Sequence, residues 1–263
     1  MLFGRRKYRS GMVLAGLALC GLAIVPTGAR AAEKTAAPTI SEEASSALVD
    51  MGKSLLSKAF SFKAQTIRVY NGPGGEPLHI FHMLDVTVRR PDRMVASSTG
   101  DDDTVKMFYD GTNLALTNVT NNKYTVIPVP NTIQKMLETA MGKLHIDFPL
   151  ADFLTDAPNK AFLTGVTSGK VINTVTIDGT PCKHLFFQQP PGIDLELWVE
   201  ANEQALPRRL IVTYTNLPGS PSFIALFSDW NLSAQPADSA FEFTPPPGAT
   251  KVDLPAAAAA AAR

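Results

Sequence analysis

The sequence predicts an α+β protein, with helices lying against one face of a large antiparallel sheet. Three observations point there. Between positions 175 and 243, short runs of β-branched, aromatic and aliphatic residues are separated by Asp178-Gly179, Pro190-Pro191-Gly192 and Leu217-Pro218-Gly219, the punctuation of an antiparallel meander. Ile193, Leu195, Leu197 and Val199 alternate with Asp194, Glu196 and Trp198, so one face suits a core and the other mostly water. A second group of extended runs, between 62 and 129, is parted from the meander by residues at helical spacing. A sheet with one apolar face needs a cover. What covers it is the functional question.

The first 31 residues stand apart. Arg5, Arg6, Lys7 and Arg9 make a basic start, Gly11–Val25 is uncharged and largely apolar, and Pro26 breaks the run. Ala29 and Ala31 then place small residues where a signal peptidase reads. Residues 1–31 are expected to be a secretory signal cleaved between Ala31 and Ala32, and the mature chain is expected in the periplasm. The apolar run is too short for a comfortable membrane span, and no later stretch approaches about 18 apolar residues. Export would take the formal charge from 24 bases against 24 acids to 19 against 24, or −5. A mildly acidic exported chain is a poor partner for nucleic acid or anionic lipid surfaces. Loss of Cys20 leaves Cys182 without a disulfide partner, and its place at a strand entry after Pro181 reads as a small buried apolar residue.

Residues 32–41 form an Ala/Pro/Thr linker, and residues 42–255 read as one domain. Ser41-Glu42-Glu43 is an N-cap with first-turn acids; Leu48, Met51, Leu55 and Ala59 follow at helical spacing, so a helix is expected over 42–59. Strands are expected at Phe62–Tyr70, Leu78–Arg90, Met94–Ser98, Val105–Tyr109, Leu114–Val119 and Tyr124–Val129, with turns at Asn71–Gly75, Asp110-Gly111 and Asn121-Asn122. Asn131 is expected to cap a helix running to Leu144, and Pro149–Phe153 to form a short second one. Phe162–Val166 reads as extended, and the meander closes with Phe241-Glu242-Phe243 as its last strand. Residues 256–263 are a low-complexity alanine tail.

The order and spacing of several short motifs carry a resemblance. They are Tyr109-Asp110-Gly111, Ile177-Asp178-Gly179 followed by Cys182-Lys183-His184-Leu185, Leu197-Trp198-Val199-Glu200 followed by Leu206-Pro207-Arg208-Arg209-Leu210, and the ending Phe241–Ala249. Over roughly residues 42–253 the chain resembles predicted periplasmic proteins of unknown function grouped with the lipoprotein-carrier superfamily of LolA, LolB and RseB. The resemblance implies a half-barrel: a strongly curved antiparallel sheet with helices packed in its concave face. It also implies an apolar cavity between the two, which takes acyl chains in the carriers.

His79 and His82 are three apart on a strand and face opposite sides, so they make no chelating pair. Asp101-Asp102-Asp103 lacks the alternating ligand spacing of a calcium loop, and Gly165–Gly169 has Thr167 where a nucleophile elbow needs serine. No catalytic residue, metal site or cofactor is expected. The partner expected is a hydrophobic ligand or lipoprotein acyl chain, held by Phe60, Phe62, Met83, Met107, Met136, Phe153, Phe186, Leu197 and Phe227. The alternative is an envelope protein bound through a sheet edge or exposed face, over a filled core.

Overall fold

The computed structural model describes residues 39–144, 146 and 148–253. The expected signal segment with its Ala31–Ala32 junction, the linker up to residue 38 and the alanine tail lie outside the described residues. Helix α1 (Glu42–Leu55) leads, capped by Ser41, whose hydroxyl accepts from the Ala44 amide at 3.2 Å. It buries Ala44, Leu48, Met51 and Leu55 along one stripe and stops there, because β1 starts at Ala59.

Six strands follow: β1 (Ala59–Asn71), β2 (Pro77–Arg89), β3 (Arg93–Gly100), β4 (Thr104–Tyr109), β5 (Asn113–Asn118) and β6 (Lys123–Pro128). After them come α2 (Ile133–Gly142), a 3-10 turn at Ala151–Phe153 and α3 (Pro158–Leu163). Then β7 (Ser168–Ile177), β8 (Thr180–Gln189), β9 (Ile193–Glu200), β10 (Pro207–Tyr214) and β11 (Ser222–Asn231) complete the meander. A two-residue strand, β12 (Thr250–Lys251), closes the described chain.

All twelve strands form one sheet, ordered β12-β6-β5-β4-β3-β2-β1-β11-β10-β9-β8-β7. Every pairing is antiparallel except β12 on β6. The β1–β11 pairing joins the two strand groups, whereas β7 and β12 are the two free ends. The sheet therefore curls without closing, a half-barrel with its helices in the concave face. At Asp178-Gly179 both residues have positive φ, +48° and +79°, as a two-residue hairpin of right-handed twist requires. Gly169 serves differently. A Cβ there would collide with the ring of Phe187, the residue opposite it across the β7–β8 pair.

Four expectations need correction. Thr132, not Asn131, caps α2: its hydroxyl accepts from the Lys135 amide at 3.2 Å. Phe162 belongs to helix α3, which starts at Pro158, a residue whose fixed φ and missing N–H suit a first helical position. The Pro149–Phe153 helix shrinks to one 3-10 turn. Phe241-Glu242-Phe243 is not a strand. Phe241 ends a second 3-10 turn, Asp238–Phe241, inside a strap that crosses the convex face. Phe241 is buried beneath the Arg89 guanidinium, 5.0 Å from its ring centroid, and Arg89 also pairs with Asp238. Phe243 packs on Phe108 and Tyr124 at 5.6 and 5.4 Å, which brings the strap to β12.

Candidate functional site

Strand alternation decides which side chains can reach the concave space. In β1 these are Phe60, Phe62, Ala64 and Thr66; opposite them across β2 stand Val88, Val86, Leu84 and His82. Met94 and Ala96 of β3, Met107 and Tyr109 of β4, and Leu114 and Leu116 of β5 continue the same face by register. Two different covers lie over this surface. At the β7–β9 end it is α1, with Leu48, Met51 and Leu55 packed in a continuous core with Leu185, Phe187 and Leu197. Over β1–β5 it is the irregular chain of Ile146 and residues 148–154.

Beneath that irregular segment is a cavity of about 320 Å³. Phe62, Leu84, Val86, Met94, Met107 and Leu116 form its sheet wall, and Ile146, Phe148, Leu150 and Leu154 its roof. The polar groups on the wall are Thr66, Arg68, His82 and the Ser97-Ser98 pair. The hollow has a local cause. Helix α2 presents Ile133, Met136, Leu137 and Ala140 to the core, but the chain leaves helical geometry after Gly142. One 3-10 turn cannot interdigitate with a curved sheet as a helical ridge does, so space remains.

An aromatic cluster bounds the cavity toward the other half of the sheet. Phe62 stacks on Trp230 at 4.5 Å and meets Phe227 edge-on at 5.8 Å. Phe153 meets Phe227 at 5.1 Å and Phe162 at 4.7 Å. Arg90 ties the pieces together. Its guanidinium donates to the carbonyls of Leu55 (3.0 and 3.2 Å) and Leu154 (3.1 Å), so one side chain grips the end of α1, the roof and the β2–β3 turn. Its side chain is 10% exposed, and burial lowers its pKa from the usual value while Asp156 at 3.5 Å opposes that.

Of the residues expected to hold a ligand, Phe62 and Met107 line the cavity. Phe60, Met136, Phe153, Leu197 and Phe227 lie in the surrounding core, all at most 4% exposed. Met83 and Phe186 stand on the opposite face of the sheet. Met83 is 52% exposed, because Leu84 and Val86 set the inward parity of β2. Phe186 is partly buried outside, because Leu185 and Phe187 take the inward positions of β8. The sequence reading missed Leu84, Val86, Met94 and Leu116 as lining residues, although alternation about Val86 and Val88 carries that signal. It also missed the roof, which no local pattern announces.

The remaining polar candidates divide between the two faces. His82 faces inward, with Nε2 2.6 Å from the Asp102 carboxylate. His184 lies outside, 2.8 Å from Glu196, and its ring stacks on Trp198 at 4.0 Å and 8°. Arg209 covers Trp198 from the far side at 5.1 Å, which explains why that outward Trp198 is buried. Cys182 is fully buried, and burial first, then the charge of Glu200, pushes its thiol pKa up, opposite to what an activated thiol needs. Among the described residues no group of three His, Cys, Asp or Glu side chains could hold a metal ion.

An open antiparallel half-barrel with helices in its concave face and an apolar hollow beneath their connection defines a LolA-like fold. The chain belongs to the family described as predicted periplasmic protein (DUF2092), which matches residues 44–255. No helix among the described residues is long and apolar enough to cross a membrane. No curated protein sequence matches the chain. Among solved structures it is similar to the lipoprotein LppX of Mycobacterium tuberculosis, at 17% identity and TM-score 0.46, over 74% of this chain and 99% of that one. It is also similar to a LolA superfamily protein of Nitrosomonas europaea, at 11% identity and TM-score 0.34, over 76% and 97%. A third likeness is to the MucA/MucB complex of Pseudomonas aeruginosa, at 13% identity and TM-score 0.44, over 77% of this chain and 61% of that one.

Proposed function

We propose that the mature chain is a periplasmic, non-enzymatic binding or carrier protein that holds an acyl chain or similar apolar ligand between its curved sheet and helical cover. One observation carries this reading: the concave face is not filled, and about 320 Å³ of mainly apolar space lies under the Ile146–Leu154 roof. That volume falls at the low end of the roughly 300–1,000 Å³ of small-molecule pockets. Two of its walls are thioethers, Met94 and Met107, whose flexible chains adapt to different ligand shapes. A filled core would have favoured a purely protein-binding module.

Native mass spectrometry of the protein purified from the periplasm, with lipid extraction of its cargo, tests this. A stoichiometric fatty acid, phospholipid or acylated peptide is expected. A clean unliganded mass, with no later uptake of a fluorescent acyl probe, sinks the proposal.

A further inference from the structure

We propose that the ligand is an amphiphile with an uncharged, hydroxylated head, and that Thr66, His82 and Ser98 form the subsite that reads it. The proposal rests on the cavity reading above and adds the ligand's class. Strand register sorts the cavity wall by polarity. Phe62, Val86 and Ala96 make a wholly apolar inward row across β1, β2 and β3. One row further along, Ser98 stands beside Leu84; in the next, Thr66 stands beside His82, with Gly100 opposite on β3. An amphiphile lying along these strands leaves its tail against the first row and its head at the last.

Local geometry positions the polar end. A Cβ on Gly100 would collide with the His82 ring, so glycine there lets the imidazole lie across β3. Nε2 of that ring faces the Asp102 carboxylate at 2.6 Å, which places a proton on Nε2 and leaves Nδ1 to accept when the imidazole is neutral. Thr66 is 4% exposed, yet neither its hydroxyl nor that of Ser98 has a hydrogen-bond partner among the described residues. A buried hydroxyl without a partner is costly, and one that borders a cavity takes its partner from whatever fills it. A ligand hydroxyl suits all three groups, because it donates to Nδ1 and accepts from Thr66 or Ser98. A carboxylate only accepts, and it would approach the charge of Asp102. Arg68, on the same wall, already has an interaction of its own. A methyl end would leave the three polar groups unpaired.

The test is titration of the mature protein with dodecanoylglycerol, methyl dodecanoate and dodecanoate, which share one chain and differ in the head. Wild type, Thr66→Val and Ser98→Ala are compared. Wild type is expected to bind the glyceride about ten- to a hundredfold more tightly than the methyl ester, the effect of one or two hydrogen bonds, and more tightly than dodecanoate. Thr66→Val, which keeps the side-chain shape, and Ser98→Ala are each expected to cut that preference by up to about tenfold and leave the methyl ester unchanged. Equal binding of glyceride and methyl ester by wild type, tightest binding of dodecanoate, or an unchanged preference in both variants overturns the proposal but leaves the apolar cavity reading standing. No binding of any of the three overturns both.

Discussion

The two halves of the sheet are built from the same kind of strand and end up with different interiors. In the β7–β10 half, Leu185, Phe187, Leu197 and Leu210 point inward, and α1 lays Leu48, Met51 and Leu55 in the same core. In the β1–β5 half, Leu84, Val86, Met94, Met107 and Leu116 point inward just as regularly, yet they border a hollow. The difference lies in the cover. A helix of 14 residues offers a continuous ridge, whereas the roof of the hollow, between α2 and α3, holds a single 3-10 turn. The convex faces are reversed. Outside the hollow half the C-terminal strap brings Phe241 and Phe243 down onto the sheet; outside the solid half the stack of His184, Trp198 and Arg209 covers itself. Regular secondary structure fills space, and an irregular cover leaves room for a ligand.

Mutations can break or sharpen this contrast. In the solid half, Leu48→Ala should cost about 3–5 kcal/mol of unfolding free energy, since a fully buried leucine leaves a cavity there. Met107→Ala, at the wall of an existing hollow, should cost less than about 2 kcal/mol because fewer neighbours lose contacts. Denaturant melts giving equal losses at the two sites would erase the contrast. Arg90→Ala should lose about 2–3 kcal/mol, since it strips the Leu55 and Leu154 carbonyls of a charged donor. It should also loosen the roof, read as faster hydrogen exchange at 148–154; unchanged exchange would mean the roof is held by other contacts.

Tyr109→Phe should cost about 1 kcal/mol, because the Tyr109 hydroxyl donates to the Pro130 carbonyl at 2.6 Å just ahead of α2. The same residue gives a pH signature. Burial first, then the charge of Asp92, pushes the Tyr109 phenol from 10.0 up to about 12. A raised folded-state value means this contribution is whole below about pH 10 and drains away as pH climbs through about 12, because the unfolded chain gives up its proton first. Wild type should therefore lose stability over that window more steeply than Tyr109→Phe in parallel melts. Identical slopes would show that Tyr109 ionises without restraint.

Much of the fold was legible from the chain. Turn dipeptides and alternation mark β1–β6 and β9 to within a few residues and the meander around β9 by its turns, because those signals are local. The faces were harder to read. In β2 both parities carry apolar residues, Phe81 and Met83 on one side and Leu84 and Val86 on the other, and only Val88 with its neighbours across β1 and β3 decides between them. In β8 the same ambiguity set Phe186 against Leu185 and Phe187. The strap was misread because Phe-Glu-Phe alternates like a strand while its partners, Phe108, Tyr124 and Arg89, are far away in sequence. Likewise the roof segment is ordinary as sequence. Its role comes from where it lies.

The most direct measurement is stoichiometric binding of a fluorescent acyl probe to wild type and to two variants, one in each half. Ala96→Phe places a ring in the hollow, where spare volume should absorb it at little cost to stability. Leu185→Met is a near-isovolumetric change in the solid half. The account predicts one site per wild-type chain, its loss in Ala96→Phe with the melting temperature kept, and unaltered binding in Leu185→Met. Wild-type affinity in a folded Ala96→Phe protein would contradict it, because the probe would then be seated somewhere other than the space under the Ile146–Leu154 roof.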